Sequence, residues 1–421
     1  MMKTIEIAPG VTLRHARDTR FKQGCFSFQL VRSMVRQEAA LNALLPSVLL
    51  RGTLRCPDLR AVTQRLDELY GAAIGPLVRR VGDYQTTGLY CGFMDDRFAL
   101  PGDQVLRPML EFLRELLLDS PMENGAFLAD FVESEKKNLI STIESNRNDK
   151  RQYAMQRLLQ EMCAGDSFGV PRLGDAGDVA AITPAALTAH YREILCTSLM
   201  ELFYVGSAPE EQVISAVQPL LSSLNRSPMT LPAQTALTPG RGGDISETLD
   251  VAQGKLCMGF VTPVTNRCRE LPAMQMLNVI LGGGMTSKLF QNVREKMSLC
   301  YSIDSAYYGT KGIVLVNAGI DFDKEAVTRQ EILRQLDACR GGEISEAEMT
   351  AAREALLSSL RSVQDSPGAI ENYYFTAALS GMCFTREGYM EAVEQVTLED
   401  IVQCANSLTL NTTYFLKGGS K

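Results

Sequence analysis

Histidine is nearly absent from this chain. In 421 residues only His15 and His190 carry an imidazole, 175 positions apart (190 minus 15). Two imidazoles on one helical turn, a common way of holding a hydrolytic zinc ion, therefore cannot arise from any local stretch. Long apolar runs are lacking as well: no stretch of about 18 or more uncharged apolar residues occurs, so no membrane-spanning helix is expected. The opening Met1-Met2-Lys3-Thr4-Ile5-Glu6 has no apolar segment of signal-peptide length, and a cytoplasmic protein is the expectation. No C-x-x-C pair exists among the eleven cysteines, which run from Cys25 to Cys404. An odd number cannot all pair internally, so mostly buried, reduced thiols are expected. A basic surplus is missing too. The 42 Lys and Arg against 49 Asp and Glu give a net charge of -7, which argues against non-specific nucleic-acid binding. Local pairs such as Arg79-Arg80 then read as solvated surface.

What is present is enough apolar residue, 45% of the chain, to fill two or more cores, and a sequence that resembles itself. Ile182-Thr183-Pro184-Ala185-Ala186-Leu187 opens a helix that is followed by a strand, Leu199 to Gly206. Val396-Thr397-Leu398-Glu399-Asp400-Ile401 opens another, followed by Asn411 to Gly418. Each threonine supplies an N-cap hydroxyl. The strand pattern Gly24 to Leu30 has its counterpart in Lys255 to Val261, and the helical stretch Asn138 to Ile143 resembles Ala355 to Leu360. Two homologous halves follow, residues 1–221 and 245–421. Between them, 222–244 is rich in Ser, Pro, Thr and Gly and reads as a linker.

One stretch of the first half reads Ala43-Leu44-Leu45-Pro46-Ser47-Val48-Leu49-Leu50-Arg51-Gly52-Thr53. Anchored on Gly52 and Thr53, it is similar to the H-F-L-E-H-M-L-F-K-G-T segment of the insulinase-like peptidases of the pitrilysin (M16) type. In that family H-x-x-E-H holds zinc through its histidines while the glutamate acts as general base. The resemblance puts Ala43 and Ser47 where the two histidines belong and Pro46 where the glutamate belongs. The family's further zinc glutamate lies on a later helix, here around Glu135 to Glu144, and by pattern its position falls near Thr142. A proline inside a helix removes a donor and kinks the chain at roughly 3 kcal/mol, so altered local geometry is expected.

The second half carries the most family-like segment, Leu281-Gly282-Gly283-Gly284-Met285-Thr286-Ser287-Lys288 through Leu289, Arg294 and Tyr301. The resemblance implies that Arg294 helps hold a substrate backbone and that Tyr301, seven residues on, donates a hydrogen bond to the oxyanion at a scissile carbonyl. Gly282, Gly283 and Gly284 do not make a phosphate loop, because G-x-x-x-x-G-K-[ST] is not met. They read as a turn before a helix, and by resemblance as backbone able to touch an extended substrate. Asp95-Asp96 and the acidic group Asp321, Asp323, Glu325 lack the spacing of a calcium loop and read as turn residues and solvated faces. Cys300 as a nucleophile has no histidine that can be assigned to it.

The family resemblance implies an α+β fold of two homologous M16-type (LuxS/MPP-like) halves forming a clamshell around a cavity. It implies no metal and no other cofactor, and no independent peptide hydrolysis. The expected role is that of a partner for a zinc-bearing homologue, or for a second copy of this chain, acting on an extended peptide or unfolded segment, with neither nucleic acid nor membrane involved. The alternative is a non-enzymatic peptide-binding or scaffold protein, of the kind represented by core subunits of respiratory complex III.

Overall fold

Runs of β-branched and aromatic residues alternate with amphipathic helices, and the computed structural model, which describes residues 2–419, folds them around two sheets. The first half supplies β1 (Met2–Ala8), β2 (Val11–Arg17), β3 (Gln23–Ser33), α1 (Arg36–Leu49), α2 (Leu59–Glu68), β4 (Ala73–Val81), β5 (Tyr84–Met94) and α3 (Leu106–Leu118). A small hairpin, β6 (Met122–Glu123) and β7 (Ala126–Phe127), leads to α4 (Ala129–Asn148), α5 (Lys150–Met162), α6 (Ala176–Ala181), α7 (Pro184–Thr197), β8 (Leu199–Gly206) and α8 (Glu210–Ser222). The second half continues with β9 (Gly243–Leu249), β10 (Gly254–Val261), α9 (Leu271–Gly282), a π-helix over Leu289–Lys296, β11 (Cys300–Tyr308) and β12 (Ile313–Ile320). It closes with α10 (Glu325–Arg340), α11 (Glu346–Ser362), α12 (Pro367–Ser380), α13 (Arg386–Glu394), α14 (Leu398–Ser407) and β13 (Thr409–Gly418).

The first sheet has the order β1-β2-β8-β3-β5-β4, with β2 and β8 parallel and the other neighbours antiparallel. The second has the order β11-β12-β10-β13-β9, again with a single parallel pair, β13 and β9. Read from the parallel pair inward, the two share one topology: β2-β8-β3-β5-β4 corresponds to β9-β13-β10-β12-β11. The strands matched by sequence, β3 and β10, are the central ones. Both threonine caps are formed: Thr183 accepts from the Ala186 N–H, and Thr397 with Asp400 makes a reciprocal capping box.

Two compact units result, each assembled from separate stretches of chain. One holds the residues through Glu144 with Arg172–Ala233 and Val363–Thr376; the other holds Ser145–Pro171, Gln234–Ser362 and the chain from Ala377 on. In the first, Phe26, Phe28 and Leu30 of β3 point into a core with Leu44, Leu45 and Val48 of α1 and with α3, α7 and α8. The alternate residues of β3 face the start of α12, where Ile370 packs with Cys25 and Val205. In the second unit, α5 lies on β10, β12 and β13, its Tyr153, Leu158 and Met162 packing with Cys257, Leu315 and Tyr414. Each sheet thus takes a helix from the other half of the sequence, a crossing that local periodicity does not encode.

That crossing corrects the reading of Arg79 as solvated. Its guanidinium makes a bidentate pair with Glu371 at 3.0 and 2.9 Å and stacks 4.9 Å from the Phe375 ring. The carboxylate of Glu371, fully buried, also accepts from Ser27 and Gln29. A buried carboxylate is tolerated when paired and hydrogen-bonded in this way.

Candidate functional site

Ala43, Pro46 and Ser47 lie on α1 within the first unit, and Ala43 and Pro46 are buried in it. Pro46 lies inside the helix, which runs on to Leu49. The carbonyl that Pro46 leaves without a donor, that of Asn42, accepts the Thr87 hydroxyl of β5 at 2.7 Å. A neighbouring strand therefore replaces the missing helical bond. Gly52 and Thr53, which end the segment, are held by a tight turn: Thr53 Oγ1 accepts the N–H groups of Arg55 and Cys56, and a Cβ on Gly52 would lie 2.7 Å from the Cys56 carbonyl oxygen.

The imidazole bonded to α1, that of His190, is structural. Asn42 donates to Gln85 through its amide nitrogen, so its oxygen accepts from His190 Nε2 at 2.8 Å, which fixes the proton on that nitrogen. Burial pushes His190 below the ordinary imidazole value, with Glu38 pulling the other way, which favours the neutral ring near neutral pH. Gln85 passes the network on to the carbonyls of Ala39 and Arg172. His15 donates to the Ala208 carbonyl at 2.9 Å and stacks on Tyr204.

On α4, Thr142 is exposed and returns its hydroxyl to the Asn138 carbonyl of its own helix. Glu135 is engaged by Arg51 at 3.3 Å, whose guanidinium also sits 5.5 Å from the Phe131 ring. Among the described residues no group of three or more His, Cys, Asp and Glu side chains is gathered so as to hold a metal.

Gly282–Gly284, Arg294 and Tyr301 all belong to the second unit. Gly282 ends α9 against β11, where an added Cβ would lie 2.6 Å from the Ser305 nitrogen, so only glycine allows the approach. Gly283 and Gly284 are exposed, and the Gly284 carbonyl accepts from the Ser287 amide and hydroxyl, giving an ordered turn. Arg294 falls near the end of the π-helix, 38% exposed, its guanidinium 4.6 Å from the Phe290 ring and 3.6 Å from the Glu295 carboxylate.

The helix then closes with unusually wide rings. Met297 donates to the Asn292 carbonyl, Ser298 to Arg294 and Leu299 to Val293, with Ser298 in the left-handed region at φ 51°. The bonds follow the pattern of a Schellman close in which each ring is one residue larger, and Leu299 and Val293, joined by one of them, are both buried. A serine at that φ costs free energy that glycine would not. Immediately afterwards the pairing of β11 with β12 slips, because Cys300 faces Ile320 and Ser302 faces Gly319. Tyr301 is the extra residue of a β-bulge, and its side chain is turned out, 62% exposed.

Its hydroxyl donates to Asp321 Oδ1 at 3.0 Å, and Asp321 pairs in turn with Lys324 at 3.1 Å. The Lys324 ammonium, then Tyr301, holds the Asp321 carboxyl below the usual carboxylate range, while Asp321 raises the Tyr301 hydroxyl. Asp321 stands at the start of the turn Phe322–Lys324, as its sequence suggests, and its contact with Tyr301 is not legible there. Its place is one residue beyond β12, beside the strand end that carries Tyr301. Cys300 is buried and its thiol is pushed up to about 11, chiefly by that burial, which does not suit a nucleophile. Asp95 and Asp96 are structural: Asp95 accepts from Arg97 and Ser207, and Asp96 from the Val105 and Leu106 N–H groups at the start of α3.

Residues 181–356 match the family described as "Peptidase M16 inactive domain". The chain is 29% identical over 409 residues to a "Probable inactive metalloprotease YmfF" of Bacillus subtilis, covering 97% of this chain and 96% of the relative. It is 25% identical over 307 residues to an "Uncharacterized zinc protease" of Rickettsia felis, covering 70% and 72%. Among solved structures, a conserved protein from Enterococcus faecalis V583 superposes with a TM-score of 0.92 at 25% identity, over 100% of this chain and 99% of that one. A peptidase M16 inactive domain from Pseudomonas fluorescens superposes at 0.81 and 17% identity, covering 100% and 98%. The latter likeness is one of fold.

Proposed function

Since the chain belongs to the peptidase M16 family as a homologue without the zinc motif, we propose that it is the non-catalytic partner of a zinc-bearing homologue and supplies Arg294 and Tyr301 to a shared peptide site. The observation that carries this reading is the local construction around those two residues. A π-helix, a left-handed serine and a bulge succeed one another between Leu289 and Ser302, and the bulge turns Tyr301 out of the sheet. Such irregularities are concentrated at functional sites because they aim a side chain at a cost to regular bonding. On α1, by contrast, the buried polar groups are satisfied within the fold. In this role the arginine anchors a substrate backbone, the tyrosine hydroxyl donates to the oxyanion, and the exposed glycines Gly283 and Gly284 border the peptide.

The substrate is an extended peptide or unfolded segment, the reaction takes place in the cytoplasm, and the partner supplies the metal. No helix among the described residues is long and apolar enough to cross a membrane. The test is affinity purification of the tagged chain from its native cell followed by identification of the co-purifying proteins. Recovery of a similar-length chain bearing H-x-x-E-H, with peptidase activity only in the mixture, supports the proposal. Recovery of the chain alone, or as a homodimer with tight peptide binding and no hydrolysis, favours the scaffold reading instead. One feature speaks for that second reading: β11 is an outer strand of its sheet and offers an edge for strand addition.

A further inference from the structure

A tyrosine hydroxyl has a single proton, and in this structure the proton of Tyr301 is directed at Asp321. It cannot at the same moment be donated to a carbonyl or oxyanion. The acceptor is a carboxylate, which binds an O–H donor more strongly than a neutral peptide carbonyl does. Asp321 is itself held in place: its other oxygen pairs with Lys324, and Lys324 Nζ reaches on to the carbonyl of the left-handed Ser298 at 3.2 Å. The chain of contacts therefore runs from the turn that closes the π-helix, through Lys324 and Asp321, to the hydroxyl on the bulge. Lys324 neutralises part of the carboxylate's charge and so weakens its grip on the hydroxyl, leaving a contact that can be exchanged for a ligand.

We propose that Asp321 is a positioning residue that holds Tyr301 in a resting state, and that a peptide carbonyl accepts the tyrosine's hydrogen bond only by displacing this carboxylate. The proposal rests on the composite-site reading above. It makes Asp321 a restraint on the site, so removing it speeds the reaction, the opposite of what removing a simple support would do. The wild-type, Asp321→Asn, Asp321→Ala, Tyr301→Phe and Asp321→Ala/Tyr301→Phe chains would each be combined with the wild-type zinc-bearing partner and assayed on one peptide.

Asp321→Ala is expected to raise kcat/KM about three- to tenfold, the size of one exposed charge-assisted hydrogen bond. Asp321→Asn, which keeps a neutral acceptor, should fall between it and the wild type. The gain should vanish in the Tyr301→Phe background. In the isolated full-length chain with 13C-labelled tyrosine, the Tyr301 hydroxyl should ionise at lower pH in Asp321→Ala than in the wild type. An unchanged titration, or an Asp321→Ala rate equal to or below wild type while Tyr301→Phe is slow, overturns the restraint alone. A Tyr301→Phe chain as fast as wild type overturns the composite site, and the restraint with it.

Discussion

The carbonyl of Asn42 and the hydroxyl of Thr87, 2.7 Å apart, keep α1 helical across a proline. Both residues are buried, so water cannot take over if the hydroxyl is lost. Thr87→Val should therefore destabilise the chain by about 1–3 kcal/mol, the cost of an unsatisfied buried acceptor. Pro46→Ala restores a backbone N–H four residues beyond Asn42 and should recover much of that loss in the double variant. Denaturant midpoints of the four chains decide the point, and equal penalties with and without Pro46 would count against this account.

Arg79 and Glu371, 292 positions apart, fix the start of α12 to the first sheet. Glu371→Ala leaves the guanidinium, Ser27 and Gln29 aimed at an empty acceptor, and a loss of about 3–5 kcal/mol is expected. Replacing both partners by leucine should be much milder, because no uncompensated charge remains. Hydrogen exchange of the β3 and β4 amides, together with urea unfolding, measures both effects.

Stability should depend on pH through His190. Its folded-state pKa lies below the ordinary 6.5, so between the two values the unfolded chain binds the extra proton. The stabilisation is present above about pH 6.5 and is lost as the pH falls through that window. Urea midpoints from pH 8 to pH 5 should fall more steeply for the wild type than for His190→Gln. Parallel curves would show that the imidazole is not held neutral.

The two threonine caps and the central strands β3 and β10 were legible because they depend on neighbours in sequence. That Ala43, Pro46 and Ser47 share one short segment was legible, and the structure places all three on α1. Thr87 under Pro46, Glu371 against Arg79 and Asp321 against Tyr301 were not legible. Each joins residues brought together by strand register or by a helix borrowed from the other half, and the Arg79 reading failed for that reason. The π-helix escaped too, since its apolar positions, such as Leu289 and Val293, keep a four-residue spacing that also fits an ordinary helix.

The purified chain should hold no stoichiometric zinc and should not cleave unstructured peptides. Water needs a metal of this kind to become a nucleophile near neutral pH, and Ala43, Pro46 and Ser47 offer neither ligand nor base. Metal analysis after long dialysis is the check. One tightly held zinc per chain, lost together with peptidase activity on chelation, would refute it. Restoring the site needs more than one change, because histidine at the tightly packed Ala43 must first be accommodated, at about 1–3 kcal/mol for overpacking.

Arg294 and Tyr301 should act on a partner's zinc site in separable ways. Tyr301→Phe removes one donor and leaves the exposed ring, so assembly should hardly change while kcat of the reconstituted pair falls about 10²- to 10³-fold, the usual effect of deleting an oxyanion donor. The arginine, an anchor for substrate backbone in both ground and transition states, should behave differently: Arg294→Ala should raise KM as well as lower kcat/KM. Mixing each variant with the wild-type partner and measuring both constants on a shared peptide separates the roles. If both variants matched the wild type at unchanged assembly, neither side chain would reach a substrate, and the bulge at Tyr301 would need another explanation.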